Sequence, residues 1–323
     1  MRKHLLLTSL ACALALATTA RAEQGGSAHY LPGATSSFID AFPGKPGGLA
    51  VLNYFTYYDA SADANRQLPL GGFLAANVDA TVYADTIAAI YQTPWEVLGG
   101  GFAFGVAVPY VWLEVEADAQ RIQPDGTLGP ARSVGDTANG IGDLTLYPFM
   151  LGWTNLAPDL KVDARLGIYV PTGEYKVGQL ANVGKNYWTF EPGIMASWLS
   201  SKIGTEVSLY AGVDFNLENE DMDYTSGTAL HLEMTIAQHL PLGKGFIGVG
   251  ANGFYYEQLT GDSGSDALLG DFKGRTLGVG PVISYVRPIG KTQLLAELKW
   301  LPELDTKNRM EGDYVWFKLG FLF

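Results

Sequence analysis

A chain of 323 residues with 33 Asp and Glu against 21 Lys and Arg carries a net charge of −12, which excludes broad-surface binding of nucleic acid or an anionic polysaccharide. Its one cysteine, Cys12, falls in the first 22 residues, so a mature chain has no disulfide, thiolate nucleophile or thiolate metal site. Charged residues make up 17% of the sequence against roughly 25% in an average soluble domain, while aromatics reach 12% and glycine occupies 40 positions.

Residues 1–22 read as a cleaved signal peptide. Arg2 and Lys3 form the positive start, Leu5 to Ala17 the short apolar run, and Ala20-Arg21-Ala22 the small-x-small cleavage site. The apolar run continues past Cys12, which argues against lipidation there.

Residues 23–47 form a second unit. Gly25, Gly26, Pro32, Gly33, Pro43, Gly44, Pro46 and Gly47 break both helical and strand periodicity. Tyr30, Leu31, Phe38, Ile39 and Phe42 are apolar residues that a purely disordered arm does not need. Two readings stand: a plug-like segment inside a lumen, or a tail packed on a rim.

From residue 48 to 323 the signal is period-2 alternation. In Lys161 to Val170, Val162, Ala164, Leu166, Ile168 and Val170 share one face, and Lys161, Asp163, Arg165 and Tyr169 share the other. Glu206 to Asn216 and Tyr314 to Phe323 repeat the pattern. The uncharged window Val97 to Leu113 approaches the length of a membrane helix, but its five residues Gly99, Gly100, Gly101, Gly105 and Pro109 and its alternating aromatics read as strand. Twelve segments are predicted, near 48–58, 77–91, 99–116, 141–153, 160–171, 188–200, 203–216, 227–240, 245–258, 274–287, 292–301 and 312–323. Short connections follow even-numbered segments and long polar ones follow odd-numbered segments.

An even count, short turns at one end and long loops at the other predict an all-β transmembrane antiparallel barrel of about 12 strands in the outer membrane of a Gram-negative bacterium, with both termini in the periplasm. Closure is required because lipid offers backbone groups no hydrogen-bond partners. Tyr57, Tyr58, Trp153, Trp188, Trp198, Tyr285 and Trp300 fall near strand ends, as interface girdles require. A soluble β-sandwich or lipocalin-like barrel is the alternative, with the apolar face turned inward.

Parity places a set of polar side chains in the lumen. The acids are Asp79, Asp85, Asp143, Asp163, Glu191, Glu206, Asp214, Glu233 and Glu297; the bases are Lys161, Arg165, Lys299 and Lys318, with His231 and His239 beside them. Tyr83, Tyr147 and Tyr169 join them. Such charges either line a polar pore or form a network that fills and stiffens the barrel. Asp143, after Gly140-Ile141-Gly142, reads either as a constriction or a contact with the N-terminal segment, or as a carboxylate bonded to nearby backbone N–H groups.

No cofactor or metal is expected. His231 and His239 share a strand face about 26 Å apart, too far for one ion. His231 with Ser226 is the nearest approach to a nucleophile–base pair, and no motif surrounds it, so no enzyme is expected. The acidic loop Glu218 to Asp223 reads as solvated, or as a site for divalent cations that bridge lipopolysaccharide.

Short motifs in order carry a family resemblance. Tyr30-Leu31-Pro32-Gly33 with Phe42-Pro43-Gly44-Lys45-Pro46-Gly47 and Tyr54, Gly140-Ile141-Gly142-Asp143-Leu144 with Pro148, and Tyr169-Val170-Pro171-Thr172-Gly173 with Asn186-Tyr187-Trp188 and Pro192 resemble the transporter-like outer-membrane proteins associated with the meta-cleavage pathway of phenol degradation. The terminal Phe323 is similar to the aromatic end that such barrels present to their assembly machinery. The resemblance implies passive uptake of small, hydrophobic or aromatic compounds, with membrane lipids, lipopolysaccharide, the barrel assembly machinery and a small-molecule solute as partners. A structural barrel with a filled lumen and a lipid-modifying barrel enzyme are the alternatives. No family site is carried over.

Overall fold

The computed structural model describes residues 27–42, 44–123, 125–269 and 273–323; the expected signal peptide lies outside the described residues. Among the described residues sixteen strands follow in order. The first eight are β1 (Leu49–Ala62), β2 (Leu68–Leu70), β3 (Phe73–Val97), β4 (Gly100–Arg121), β5 (Arg132–Ile141), β6 (Leu144–Trp153), β7 (Leu160–Val170) and β8 (Thr189–Leu199). The second eight are β9 (Thr205–Asn216), β10 (Glu218–Asn219), β11 (Tyr224–Thr225), β12 (Ala229–Leu242), β13 (Gly245–Gln258), β14 (Arg275–Ile289), β15 (Thr292–Lys307) and β16 (Glu311–Leu322).

One antiparallel sheet closes on itself because β1 pairs with β3 on one edge and with β16 on the other. Fourteen strands enter this sheet. β2 is a short hairpin extension, and β5 and β6 share one position beside β4, so the barrel has twelve wall positions. Closure leaves β1 and β16 no free edge, as a lipid-facing sheet must. Leu98-Gly99, Gly243-Lys244 and Gly290-Lys291 make two-residue turns at one end; the long loops gather at the other.

The alternation in β12 shows which side faces lipid. His231, Glu233, Thr235 and His239 are buried, whereas Leu232, Met234, Ile236 and Leu240 are 40%, 43%, 48% and 54% exposed. A soluble β protein has the opposite arrangement. A strand with charge inside and bare aliphatics outside is stable where the outer medium is hydrocarbon.

Two expectations about the wall are corrected. The fourth wall position begins at Arg132 rather than near 141, and it is broken at Gly142-Asp143. β4 therefore pairs with β5 over Tyr110–Ala119 and with β6 over Gly101–Ala107. β7 ends at Val170 opposite Leu144, so among the described residues β5 has no strand on its other side. The loop 171–188 fills that place, and Asp136 of β5 accepts the N–H groups of Leu180 and Ala181 at 3.0 and 3.1 Å. Tyr58 is the other correction. It does not belong to a lipid girdle but turns inward and stacks on Tyr314 with ring centroids 4.0 Å apart. Trp188, Trp198 and Trp300 do face outward, exposed.

Candidate functional site

Residues 27–42 run through the lumen, and the charged side of the barrel holds them. A segment without strand or helix leaves its backbone groups unsatisfied, and inside a barrel only wall side chains can serve them. Glu233 of β12 accepts from the Tyr30 hydroxyl, from Gly33 N at 2.9 Å and from Ser36 Oγ at 2.9 Å. Lys299 of β15 donates to the Gly33 and Thr35 carbonyls at 3.0 and 3.3 Å, and Trp316 Nε1 of β16 donates to the Pro32 carbonyl at 2.8 Å. Gly33, at φ 92°, is required here, because a Cβ would sit 2.4 Å from Leu301 and 2.7 Å from Trp316.

The lower part of the segment is held in the same way. Phe38 N donates to Glu206 at 2.7 Å, and Phe42 N donates to Asp163 at 3.1 Å. Arg165 pairs with Asp163 and donates to the Asp40 carbonyl at 3.1 Å. Lys318 pairs with Asp40 at 2.7 Å, and Glu297 lies 3.2 Å from both Lys318 and Lys299. At the upper end His29 Nε2 lies 2.9 Å from Asp143, which also accepts Gly173 N and Lys185 N at 2.9 and 2.8 Å. Asp143 thus meets both the N-terminal segment and neighbouring backbone.

The opposite wall, β1, β3 and β4, is built differently. Its inner face presents Leu52, Ala80, Ala84, Ala88, Ala107 and Val111, small or aliphatic residues without charge. Between this wall and the segment lies a cavity of about 1460 Å³. Leu70, Tyr175, Leu180 and Met310 line it towards the long loops, and Lys202, Lys291 and Phe323 line it at the short-turn end. Tyr147, Tyr169 and Arg165 border it on the charged side. Tyr169 donates to Glu191 at 2.6 Å and stacks on His29.

Of the residues expected in the lumen, Asp143, Tyr147, Asp163, Arg165, Tyr169, Glu191, Glu206, His231, Glu233, Glu297 and Lys318 face the interior. Asp79, Tyr83 and Asp85 do not. They occupy the outward face of β3, where Tyr83 is 43% exposed and packs near Phe55 and Tyr57. Asp85 accepts from Asn53 of β1 on that face. The reason is physical: polar residues mark the interior only where the interior is charged, and beside β3 it is apolar. Sequence does not single out His29, Asp40 or Asn252, whose side-chain amide donates to Ser36 Oγ at 2.9 Å. Asp40 carried a usable signal, as a lone acid within the apolar run Phe38 to Phe42.

A family model described as "Putative MetA-pathway of phenol degradation" matches residues 64–319. No curated protein matches the chain. Among solved structures the chain resembles the COG4313 outer membrane channel from Pseudomonas putida F1, at 13% identity and a TM-score of 0.59 over 91% of this chain and 100% of that one. It also resembles the β domain of the Bordetella autotransporter BrkA, at 14% identity and a TM-score of 0.44 over 86% and 99%. The first of the two superposes well enough to bear on the fold.

Proposed function

Because the chain belongs to this phenol-degradation family, we propose that it is an outer-membrane channel of a Gram-negative bacterium that admits small hydrophobic or aromatic molecules to the periplasm by passive diffusion. The similar P. putida structure is an outer membrane channel, which supports the reading. The observation that carries it is the apolar passage between the alanine-rich wall and the N-terminal segment.

The energetics suit passage rather than capture. An aromatic ring buries roughly 150–250 Å². At about 25 cal/mol per Å², full burial stabilises it by at most about 4–6 kcal/mol. Lost translational freedom offsets part of this, leaving affinity near the millimolar range or weaker. A solute held that loosely enters and leaves, as conduction requires. Hydroxyls such as Tyr147 and Tyr54 beside the passage offer a phenolic group a partner without a charge.

Assembly in the membrane by the barrel machinery and contact with lipopolysaccharide at the long loops belong to the same reading. No enzymatic step enters it. The test is flux through proteoliposomes, comparing phenol or toluene with glucose and inorganic ions. Faster equilibration of the aromatic solutes is expected. Retention of every solute by a folded barrel would favour the filled structural barrel instead.

A further inference from the structure

Behind the N-terminal segment, three buried side chains from three adjacent strands converge. Glu191 of β8, Asp214 of β9 and His231 of β12 each bring one ligating atom to within 4.8 Å of the other two. His231 Nε2 lies 3.5 Å from Glu191 and 3.4 Å from Asp214. Nδ1 of His231 has no hydrogen bond although the side chain is fully buried, and Nε2 meets the two carboxylates only at ion-pair distance. An imidazole in that state, aimed at two carboxylates, leaves a polar group unsatisfied where burial makes this costly. No lysine or arginine reaches Glu191 within ion-pair distance among the described residues; Tyr169 and Tyr210 hydroxyls donate to it at 2.6 and 2.5 Å. The backbone keeps the space open at Gly212, where a Cβ would sit 2.6 Å from His231 Nε2 and 3.1 Å from Glu191 Oε1.

We propose that Glu191, Asp214 and His231 form a binding site for one first-row divalent cation, with Zn²⁺ the best-matched probe. A point equidistant from three atoms with these separations lies no more than about 2.4 Å from each, close to the roughly 2.0–2.2 Å of zinc–nitrogen and zinc–oxygen bonds. One imidazole with two carboxylates suits Zn²⁺ better than Mg²⁺ or Ca²⁺, which favour oxygen ligands throughout. The Tyr169 and Tyr210 hydroxyls orient Glu191, as outer partners of a ligand do. The ion would tie β8, β9 and β12 together directly beneath Tyr30, whose ring stacks on His231 at 3.6 Å. The two histidines of β12 still do not share an ion. The partners of His231 come from other strands, and register rather than sequence spacing brings them to it.

The test uses the full-length barrel, folded in detergent and stripped with a chelator, then titrated with Zn²⁺, Mg²⁺ and Ca²⁺ by calorimetry, with metal content read by elemental analysis. One Zn²⁺ per chain is expected, with binding at least tenfold weaker for Mg²⁺ and Ca²⁺. His231→Ala, Glu191→Gln and the near-isosteric Asp214→Asn should each weaken Zn²⁺ binding at least tenfold, and Zn²⁺ should raise the unfolding temperature of the parent barrel but not of these three variants. His239→Ala, which alters the separate His239–Glu206 pair, should leave Zn²⁺ binding unchanged. Folding of each variant is checked by heat-modifiable gel mobility, and Gly212→Ala provides a further variant that blocks the site while keeping all three side chains. Zero Zn²⁺ bound to the folded parent, or equal Zn²⁺ binding by the parent and Asp214→Asn, would overturn the proposal. Neither result bears on solute flux.

Discussion

Lys318, on the last strand, holds Asp40, in the N-terminal segment, through both carboxylate oxygens at 2.7 and 2.8 Å, across 278 residues of sequence. Both side chains are almost fully buried. Breaking such a pair costs about 3–5 kcal/mol when one charge is left uncompensated. The two halves are not equivalent, however. Asp40→Asn leaves Lys318 beside Glu297, whereas Lys318→Met leaves Asp40 without its cation. Asp40→Asn should therefore be the milder change in thermal unfolding. Both should raise mean single-channel conductance and current noise in planar bilayers, because the segment is released at its lower end. Unchanged conductance in both would argue that the segment does not limit the passage.

Deleting residues 27–42 tests the segment as a whole. The charged groups that held it, among them Glu233, Glu206 and Lys299, would then face water in a wider lumen. Conductance should rise several-fold more than in Asp40→Asn, and discrimination between phenol and glucose should fall. A folded barrel with unaltered conductance would remove the plug role.

Face assignment on β3 separates what the sequence disclosed from what it hid. Along β7, β12 and β16 the alternation was legible, because charge pointed to a charged interior and aliphatics pointed to lipid. Lys318, Glu233 and Arg165 obey that rule. Along β3 both faces are largely apolar, and the rule sent Asp79, Tyr83 and Asp85 to the wrong side. Size was the better guide: Ala80, Ala84 and Ala88 face the passage, while Tyr83, Ile87 and Tyr91 face outward. The Glu191–Asp214–His231 cluster was out of reach altogether, since it depends on the register of three strands. Single cysteines test the assignment without a background thiol, because Cys12 lies in the expected signal peptide. A cysteine replacing Tyr83 should react with a membrane-soluble maleimide, and one replacing Ala84 should not. The reverse pattern would reinstate the original parity.

Leu209 of β9 is 47% exposed on the outer face, and its neighbour Ser208 is fully buried inside. Leu209→Arg should destabilise the folded barrel by about 2–4 kcal/mol near the midplane. The same substitution in a water-facing strand would cost far less. The check is urea unfolding in lipid vesicles, and a loss under about 0.5 kcal/mol, the range of ordinary surface changes, would mean that this face does not contact hydrocarbon.

The last prediction concerns ions, for which composition and structure point in opposite directions. The chain is acidic, and an acidic pore favours cations. The cavity lining is not acidic. Lys45, Lys161, Lys185, Lys202, Lys291 and Arg165 border it, against Asp40, Asp143 and Glu191 among the carboxylates. Asp40 is already matched by Lys318, as Arg165 is by Asp163, and Asp143 lies against His29. Lys202 and Lys291 sit at the short-turn end of the cavity. A few like charges around a low-dielectric mouth focus the field along it. Whatever inorganic current the barrel carries should therefore prefer Cl⁻ over K⁺, measured as reversal potential under a salt gradient. Lys202→Gln with Lys291→Gln should reduce that preference, and should do so more at low than at high ionic strength, because screening shortens the reach of both charges. Phenol flux should stay the same, since an uncharged solute does not sense the mouth. A parent barrel that prefers K⁺ would show that the acidic outer loops, rather than the lysine-lined mouth, set the field an ion meets.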